Sequence, residues 1–93
     1  MIFEWDIDKN ISNLKKHGIT FEEAQSIFDD LSAIIFEDDR FVYGESRYII
    51  IGQIYLETLN KYTLGIVVYT EREESIRIIS ARKASKREKK LYE

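Results

Sequence analysis

The chain has no cysteine, no proline, a single histidine and four glycines. Without cysteine it has no disulfide, no thiolate metal site and no thiol nucleophile, which fits a reducing compartment. Gly18, Gly44, Gly52 and Gly65 stand far apart, so no glycine-rich phosphate loop is formed. No Gly-x-Ser-x-Gly elbow presents a catalytic serine. No apolar run approaches the 18 residues of a membrane span, and the opening Met-Ile-Phe-Glu-Trp-Asp lacks the basic and apolar regions of a signal peptide. These absences predict a cytoplasmic protein with no membrane partner. Average proline usage of ~5% would give about four or five in such a chain, and there is no Gly/Ser-rich linker or repeat. One domain over residues 1–93 is expected.

With 93 residues, folding buries about 60–65% of the unfolded surface, enough for one modest core. The 44% hydrophobic and 13% aromatic content can fill it. The formal charge of −3 argues weakly against a nucleic-acid partner, but it is unevenly spread. Residues 1–46 carry 4 basic and 11 acidic side chains, and residues 47–93 carry 10 basic and 6 acidic. Six of the nine residues from Arg82 to Lys90 are Lys or Arg. Such asymmetry suggests separate faces for separate partners.

The hydrophobic pattern predicts β-α-α-β-β-β-β-α, an α+β fold of two layers with a twisted antiparallel sheet packed by helices. Ile2 to Trp5 alternates as a short edge strand. Asp6 or Asp8 caps a first helix whose Ile7, Ile11 and Leu14 fall within about 60° of one another and are expected to face the core. Lys9, Asn13 and Lys16 would then be presented on the opposite side. Gly18 ends the helix, with Lys15, Lys16 and His17 in the last turn, where the dipole favours positive charge. Thr20-Phe21-Glu22-Glu23 is a capping box with Ile19 and Ala24 as its staple. Phe21, Ala24, Ile27, Phe28 and Leu31 form the expected buried stripe of the second helix. Strands follow at Ala33 to Glu37, broken by Glu37-Asp38-Asp39-Arg40, then at Arg47 to Leu56, Tyr62 to Thr70 and Ser75 to Ala81, with a turn near Asn60. Ser85-Lys86-Arg87-Glu88 is a second capping box that opens a basic helix ending near Tyr92.

No metal site is expected: there is one histidine, and the acidic pairs Asp29-Asp30 and Asp38-Asp39 sit where caps and turns are predicted. What remains is a set of cations with one imidazole: Lys9, Lys16, His17, Arg47, Arg77 and Arg82. Such a set suits an RNA phosphodiester. Metal-free cleavage needs the 2′-hydroxyl to attack its own phosphate, a base and an acid for two protons, and cations for the transition-state charge. His17 at a helix end suits the acid or a stabiliser, with Glu45 or Glu88 as base. The plainer alternatives are a charged helix cap at Lys16-His17-Gly18, a surface ion pair of Arg47 with Glu45 worth under about 1 kcal/mol, and a solvated helix face at Lys83 to Lys90. Arg77 and Arg82, five positions apart, point to opposite faces of a regular strand. They share a site only if the chain bends near Ala81.

A broader pattern runs through the chain. It comprises Phe3-Glu4-Trp5-Asp6 with Lys9 and Asn13, Lys16-His17-Gly18-Ile19, Phe21-Glu22-Glu23-Ala24, Glu45-x-Arg47, Gly52 and Val68-Tyr69-Thr70. It ends in Arg77-Ile78-Ile79-Ser80-Ala81-Arg82-Lys83-Ala84 with Glu88 and Tyr92. This pattern resembles the BrnT family of bacterial type II toxins. The resemblance implies a RelE-like ribonuclease toxin fold, metal-independent RNA cleavage that inhibits translation, and no cofactor. It further implies neutralisation by a BrnA-type antitoxin in a 2:2 heterotetramer that reaches operator DNA only through the antitoxin. By the same resemblance Arg47, Arg77 and Arg82 stabilise charge, and His17 and Glu45 carry protons. Lys9, Asn13, Lys16 and Lys83, and outside the pattern Lys61, are expected to contact RNA, while Trp5, Gly18 and Phe21 pack or cap. The segment Glu57-Thr58-Leu59-Asn60-Lys61-Tyr62 departs from the family, where a short glycine-containing turn carries an arginine. Lys61 replaces that guanidinium fork by a point charge. The alternative is a non-catalytic module that holds an antitoxin and supports operon repression.

Overall fold

Local signals fix most elements of the computed structural model, which describes residues 1–39 and 44–93. The order is β1 (Ile2–Glu4), α1 (Ile7–His17), α2 (Phe21–Ala24) continuing as a 3₁₀ segment (Gln25–Asp29), β2 (Ile34–Asp38), β3 (Arg47–Leu56), β4 (Lys61–Arg72), β5 (Ser75–Lys83) and α3 (Lys86–Tyr92). Asp6 caps α1 by accepting the Lys9 amide at 3.0 Å, and Gly18 ends it at φ 71°, the left-handed geometry glycine adopts without strain. Both capping boxes form, Thr20 with Glu23 and Ser85 with Glu88. Asn60 turns the β3–β4 hairpin at φ 49°.

The strands form one sheet in the order β1-β5-β4-β3-β2. β1 lies parallel to β5, and the other pairs are antiparallel. α1, α2 and the 3₁₀ segment cover one face. The core there joins Ile19, Phe21, Ala24 and Ile27 to Ile50, Ile54, Val67, Tyr69, Ile78 and Ala81. Aromatic contacts extend it, with Phe28 5.1 Å from both Phe3 and Tyr69, and Tyr69 5.6 Å from Tyr48. α3 lies across the opposite face, where Ile51, Ile66 and Ala84 cluster with Ile49, Leu64 and Tyr92. Where β3 and β4 cross, Gly52 faces Gly65. A Cβ at Gly65 would sit 2.4 Å from Ile54 Cδ1 and 3.0 Å from the Arg82 carbonyl oxygen. Gly65→Ala is expected to cost about 1–3 kcal/mol through overpacking and to lower the thermal unfolding midpoint by roughly 5–20 °C, read by circular dichroism.

Two expectations about helix faces are corrected. Ile7, Ile11 and Leu14 do not enter the core; they are 73%, 52% and 47% exposed. The inward side of α1 carries asparagines instead. Asn13, 6% exposed, donates to the carbonyls of Ala81 (2.8 Å) and Ile19 (2.9 Å) and accepts the Ala81 amide (3.1 Å). Asn10 accepts the Phe21 amide at 2.8 Å. The physical reason is edge satisfaction: β1 pairs β5 only over Ser75 to Arg77, and the backbone of Ala81 beyond it needs partners when buried. Leu31 is likewise fully exposed, because the helix tightens to 3₁₀ geometry at Gln25 and ends at Asp29, which shifts the helical period.

The opposite edge is closed by the same device. β2 pairs β3 only as far as Ile51. Beyond it, the amides of Gln53, Tyr55 and Glu57 donate to Asp30 (2.8 Å), Ser26 (2.8 Å) and Glu23 (3.1 Å). Burial alone would raise the Asp30 carboxyl, but the Gln53 and Ser32 amides and the Tyr92 hydroxyl outweigh it and hold it below the usual range. Asp38, expected in a strand-breaking turn, ends β2 instead and is buried opposite Arg47, a favourable cross-strand charge pairing. Arg40, expected in that turn, lies outside the described residues.

Candidate nucleic-acid interface

Register decides which cations share a face. Ser80 pairs with Val68 and Ile78 with Tyr69, so Ile79 is the extra residue of a β-bulge. Ile78 and Ala81, three apart, consequently both enter the helix-side core. Arg77 and Arg82 therefore share the other face, with Ser80 between them. The bend that the parity of these two arginines requires falls at Ile79, two residues before Ala81.

Alternation places Arg47 and Arg72 on that face too, since Arg72 pairs with Ser75 and Arg47 with Asp38. A row crosses the sheet: Glu4 opposite Arg77, Arg77 opposite buried Thr70, and Arg47 opposite Asp38. The guanidinium of Arg77 lies 3.3 Å from Glu4 Oε1. Arg72 lies 3.4 Å from the same oxygen and 3.8 Å from Glu45. Arg82 grips Glu88 as a fork, at 2.8 and 2.7 Å. Pairs this accessible are each worth about 1 kcal/mol or less. A phosphate, which accepts two parallel N–H bonds from arginine, can compete for the same guanidiniums.

The hydrogen-bonded fork of Arg82, helped by Ser85, holds the Glu88 carboxyl down at about 2, so Glu88 is a poor proton acceptor at neutral pH. The pair stabilises the fold above the ordinary glutamate range and is lost as pH falls from about 4.5 towards 2. Glu88→Gln is expected to cost about 1 kcal/mol at neutral pH after screening. The difference from wild type in urea midpoint should shrink across that acidic window.

α1 supplies the second half of the site. Lys9, Ser12, Lys16 and His17 line a shallow cleft of ≈ 260 Å³ with Ile79 and Ser80. Asn13 forms its floor, with both amide protons committed to backbone carbonyls, so its part is edge cap. The cleft thus opens along β5 beyond the end of β1 and shares Ser80 with the arginine face.

Not every sequence candidate joins them. Glu45 sits by Arg72, whose β5 partner Ser75 is five residues, roughly 17 Å of strand, from Ser80. Lys83 lies opposite Gly65 and so on the face away from Arg82. Lys61 begins β4 at the hairpin, nine residues or roughly 30 Å of strand from Thr70. Sequence reasoning missed Glu4 and Arg72 as members of the arginine row. The parallel β1–β5 pairing that aligns Glu4 has no signal in three residues, and Arg72 stands among Glu71, Glu73 and Glu74, beyond the expected strand end at Thr70. A larger concavity of ≈ 370 Å³ lies by Asp29, Asp30, Gln53 and Tyr62, but its acidic lining does not suit phosphate. Among the described residues, no group of three His, Asp or Glu is placed to hold a metal ion, and no helix is long and apolar enough to cross a membrane.

Comparison with curated proteins gives no match. Comparison with protein families does: residues 5–88 match the model described as "Ribonuclease toxin, BrnT, of type II toxin-antitoxin system". The match spans α1, the bulged β5 and the Arg82–Glu88 fork. The chain therefore belongs to the BrnT family of ribonuclease toxins of type II toxin–antitoxin systems.

Proposed function

We propose that this toxin cleaves RNA without a metal ion, by attack of a 2′-hydroxyl on the adjacent phosphate, and thereby inhibits translation in the cytoplasm. The observation that carries this reading is the Ile79 bulge, which sets Arg77, Ser80 and Arg82 on one face beside the Lys9–Lys16–His17 cleft. Arg77 and Arg82 leave their carboxylate partners for the non-bridging phosphate oxygens, and Arg47 extends the row for a neighbouring phosphate. Lys9 and Lys16 hold the strand along the cleft. The O2′–P bond forms as the P–O5′ bond breaks. His17 donates a proton to O5′, and the 2′-hydroxyl proton passes to water. Histidine is the side chain that ordinarily exchanges protons near neutral pH. Glu45, across from Arg72, keeps an electrostatic role. A BrnA-type antitoxin neutralises the toxin in a 2:2 assembly and is the only component to touch operator DNA.

The occupied guanidiniums of Arg77 and Arg82 also fit a second reading, a binding module without chemistry. Incubating RNA with the purified chain and EDTA separates the two. Wild type is expected to cleave, while a folded Arg77→Ala/Arg82→Ala variant leaves the RNA intact. Intact RNA with folded wild type, or equal cleavage by both proteins, contradicts the enzymatic reading.

A further inference from the structure

α1 turns Asn10 and Asn13 inward and leaves its aliphatic stripe on an exposed flank of the helix. Ile7, Ile11 and Leu14 are largely exposed, although burying each such side chain would contribute roughly 1.5–3 kcal/mol. Contiguous exposed apolar surface of this kind marks interaction sites. The stripe runs into a groove of ≈ 270 Å³ in which Leu14, Leu56 and Leu59 are bordered by Glu22, Glu23 and Glu57. Leu59, at the hairpin turn, is also exposed. The groove is therefore apolar along its base and acidic at its rim.

We propose that this surface docks the antitoxin through a basic amphipathic segment, apolar along one side and flanked by Lys or Arg; the identity of the partner rests on the toxin–antitoxin reading above. Charge complementarity selects that occupant. A second copy of the chain would bring two glutamate rims together, and an acidic segment would meet the same repulsion. Location explains how docking there neutralises the toxin. Leu14 and His17 are three residues apart on α1, about 60° around the helix. A segment laid along Ile7, Ile11 and Leu14 thus passes beside His17 at the helix end, while Lys9 and Lys16 lie on the opposite side of α1. The arginine face, in the other layer, stays uncovered.

The test uses Ile11→Ser/Leu14→Ser and Glu22→Gln/Glu57→Lys, changes at exposed positions that leave the core untouched. Two synthetic helical peptides with leucines at i, i+4 and i+7, one lysine-flanked and one glutamate-flanked, are titrated into ¹⁵N-labelled wild type and both variants. The lysine-flanked peptide should bind at least tenfold tighter than its twin, shift amides of residues 7–18 and 56–59, and lose at least tenfold in affinity with either variant. In cells, the antitoxin encoded with the chain should neutralise wild type, whereas Ile11→Ser/Leu14→Ser stays toxic with unchanged cleavage in vitro. Equal binding of the two peptides, shifts elsewhere, or a variant that is still neutralised overturns the proposal. So does self-association of wild type that the serine variant abolishes, which would make the occupant a second copy. Harmless wild type, by contrast, would count against the toxin reading and leave the peptide titration to decide the docking surface.

Discussion

His17→Ala is expected to slow RNA cleavage by about 10²- to 10⁴-fold, the range general-acid catalysis supplies. The same substitution should move the thermal unfolding midpoint by only a few degrees. His17 is exposed in the last turn of α1, where a positive charge interacts with the helix dipole by about 0.3–1 kcal/mol. Its loss therefore separates chemistry from folding. A further readout bears on its role. An RNA whose leaving 5′-oxygen is replaced by sulfur, a group that departs without protonation, should be cleaved at similar rates by wild type and His17→Ala. If the variant is equally defective on both substrates, His17 binds RNA and transfers no proton. The arginines should behave differently. Removing one weakens charge stabilisation by about 10²- to 10³-fold on either substrate, as when a transition-state donor is lost.

The largest structural effect is expected at Asn13. Its side chain supplies two donors and one acceptor to the buried backbone of Ala81 and Ile19. Asn13→Asp replaces the donors with a carboxylate oxygen facing two carbonyls. Each buried group left unmatched costs about 1–3 kcal/mol, and the buried charge adds to that. A loss of about 3–5 kcal/mol is a large part of the 5–15 kcal/mol typical of a domain, and should lower the unfolding midpoint by roughly 12 °C or more. Asn13→Ala should cost less, about 2–3 kcal/mol, because it introduces no charge. The pH dependence gives the sign. The new carboxyl is disfavoured when ionised, so its folded pKa lies above the unfolded value of ~3.9. Its deficit relative to wild type should therefore shrink as pH falls through the folded value, to its smallest below about 3.9. A deficit that does not change with pH would mean that Asn13 contributes packing alone.

What was legible in the residues was local. Asp6, Gly18 and the two capping boxes act on backbone within four residues, and their caps formed as read. The alternation of β3 to β5 needed no partner to be recognised. The first helix shows where this stops. Its aliphatic stripe was visible, but which side of a helix faces the protein depends on what waits there. Here it was unpaired β5 edge and the Phe21 amide, which asparagines satisfy and isoleucines cannot. The cationic site was half legible. The residue types were in view, and the parity of Arg77 and Arg82 showed that a regular strand could not unite them. Which residue bulges depends on pairing with Val68 and Tyr69, on the neighbouring strand and outside the local sequence of β5. Lys61 and Lys83 failed to join the arginines for the same reason: strand register assigned them elsewhere.

If, as we propose, the arginine face and the α1 cleft direct the 2′-hydroxyl of RNA against its own phosphate without metal, the product ends carry the signature. The most direct measurement is the chemistry of the product ends, with EDTA present, for one RNA sequence made with 2′-hydroxyls and again with 2′-O-methyl groups throughout. The prediction is 2′,3′-cyclic phosphate and 5′-hydroxyl ends from the first RNA and no cleavage of the second. Cleavage of the methylated RNA, or ends bearing a 5′-phosphate and a 3′-hydroxyl, would contradict it.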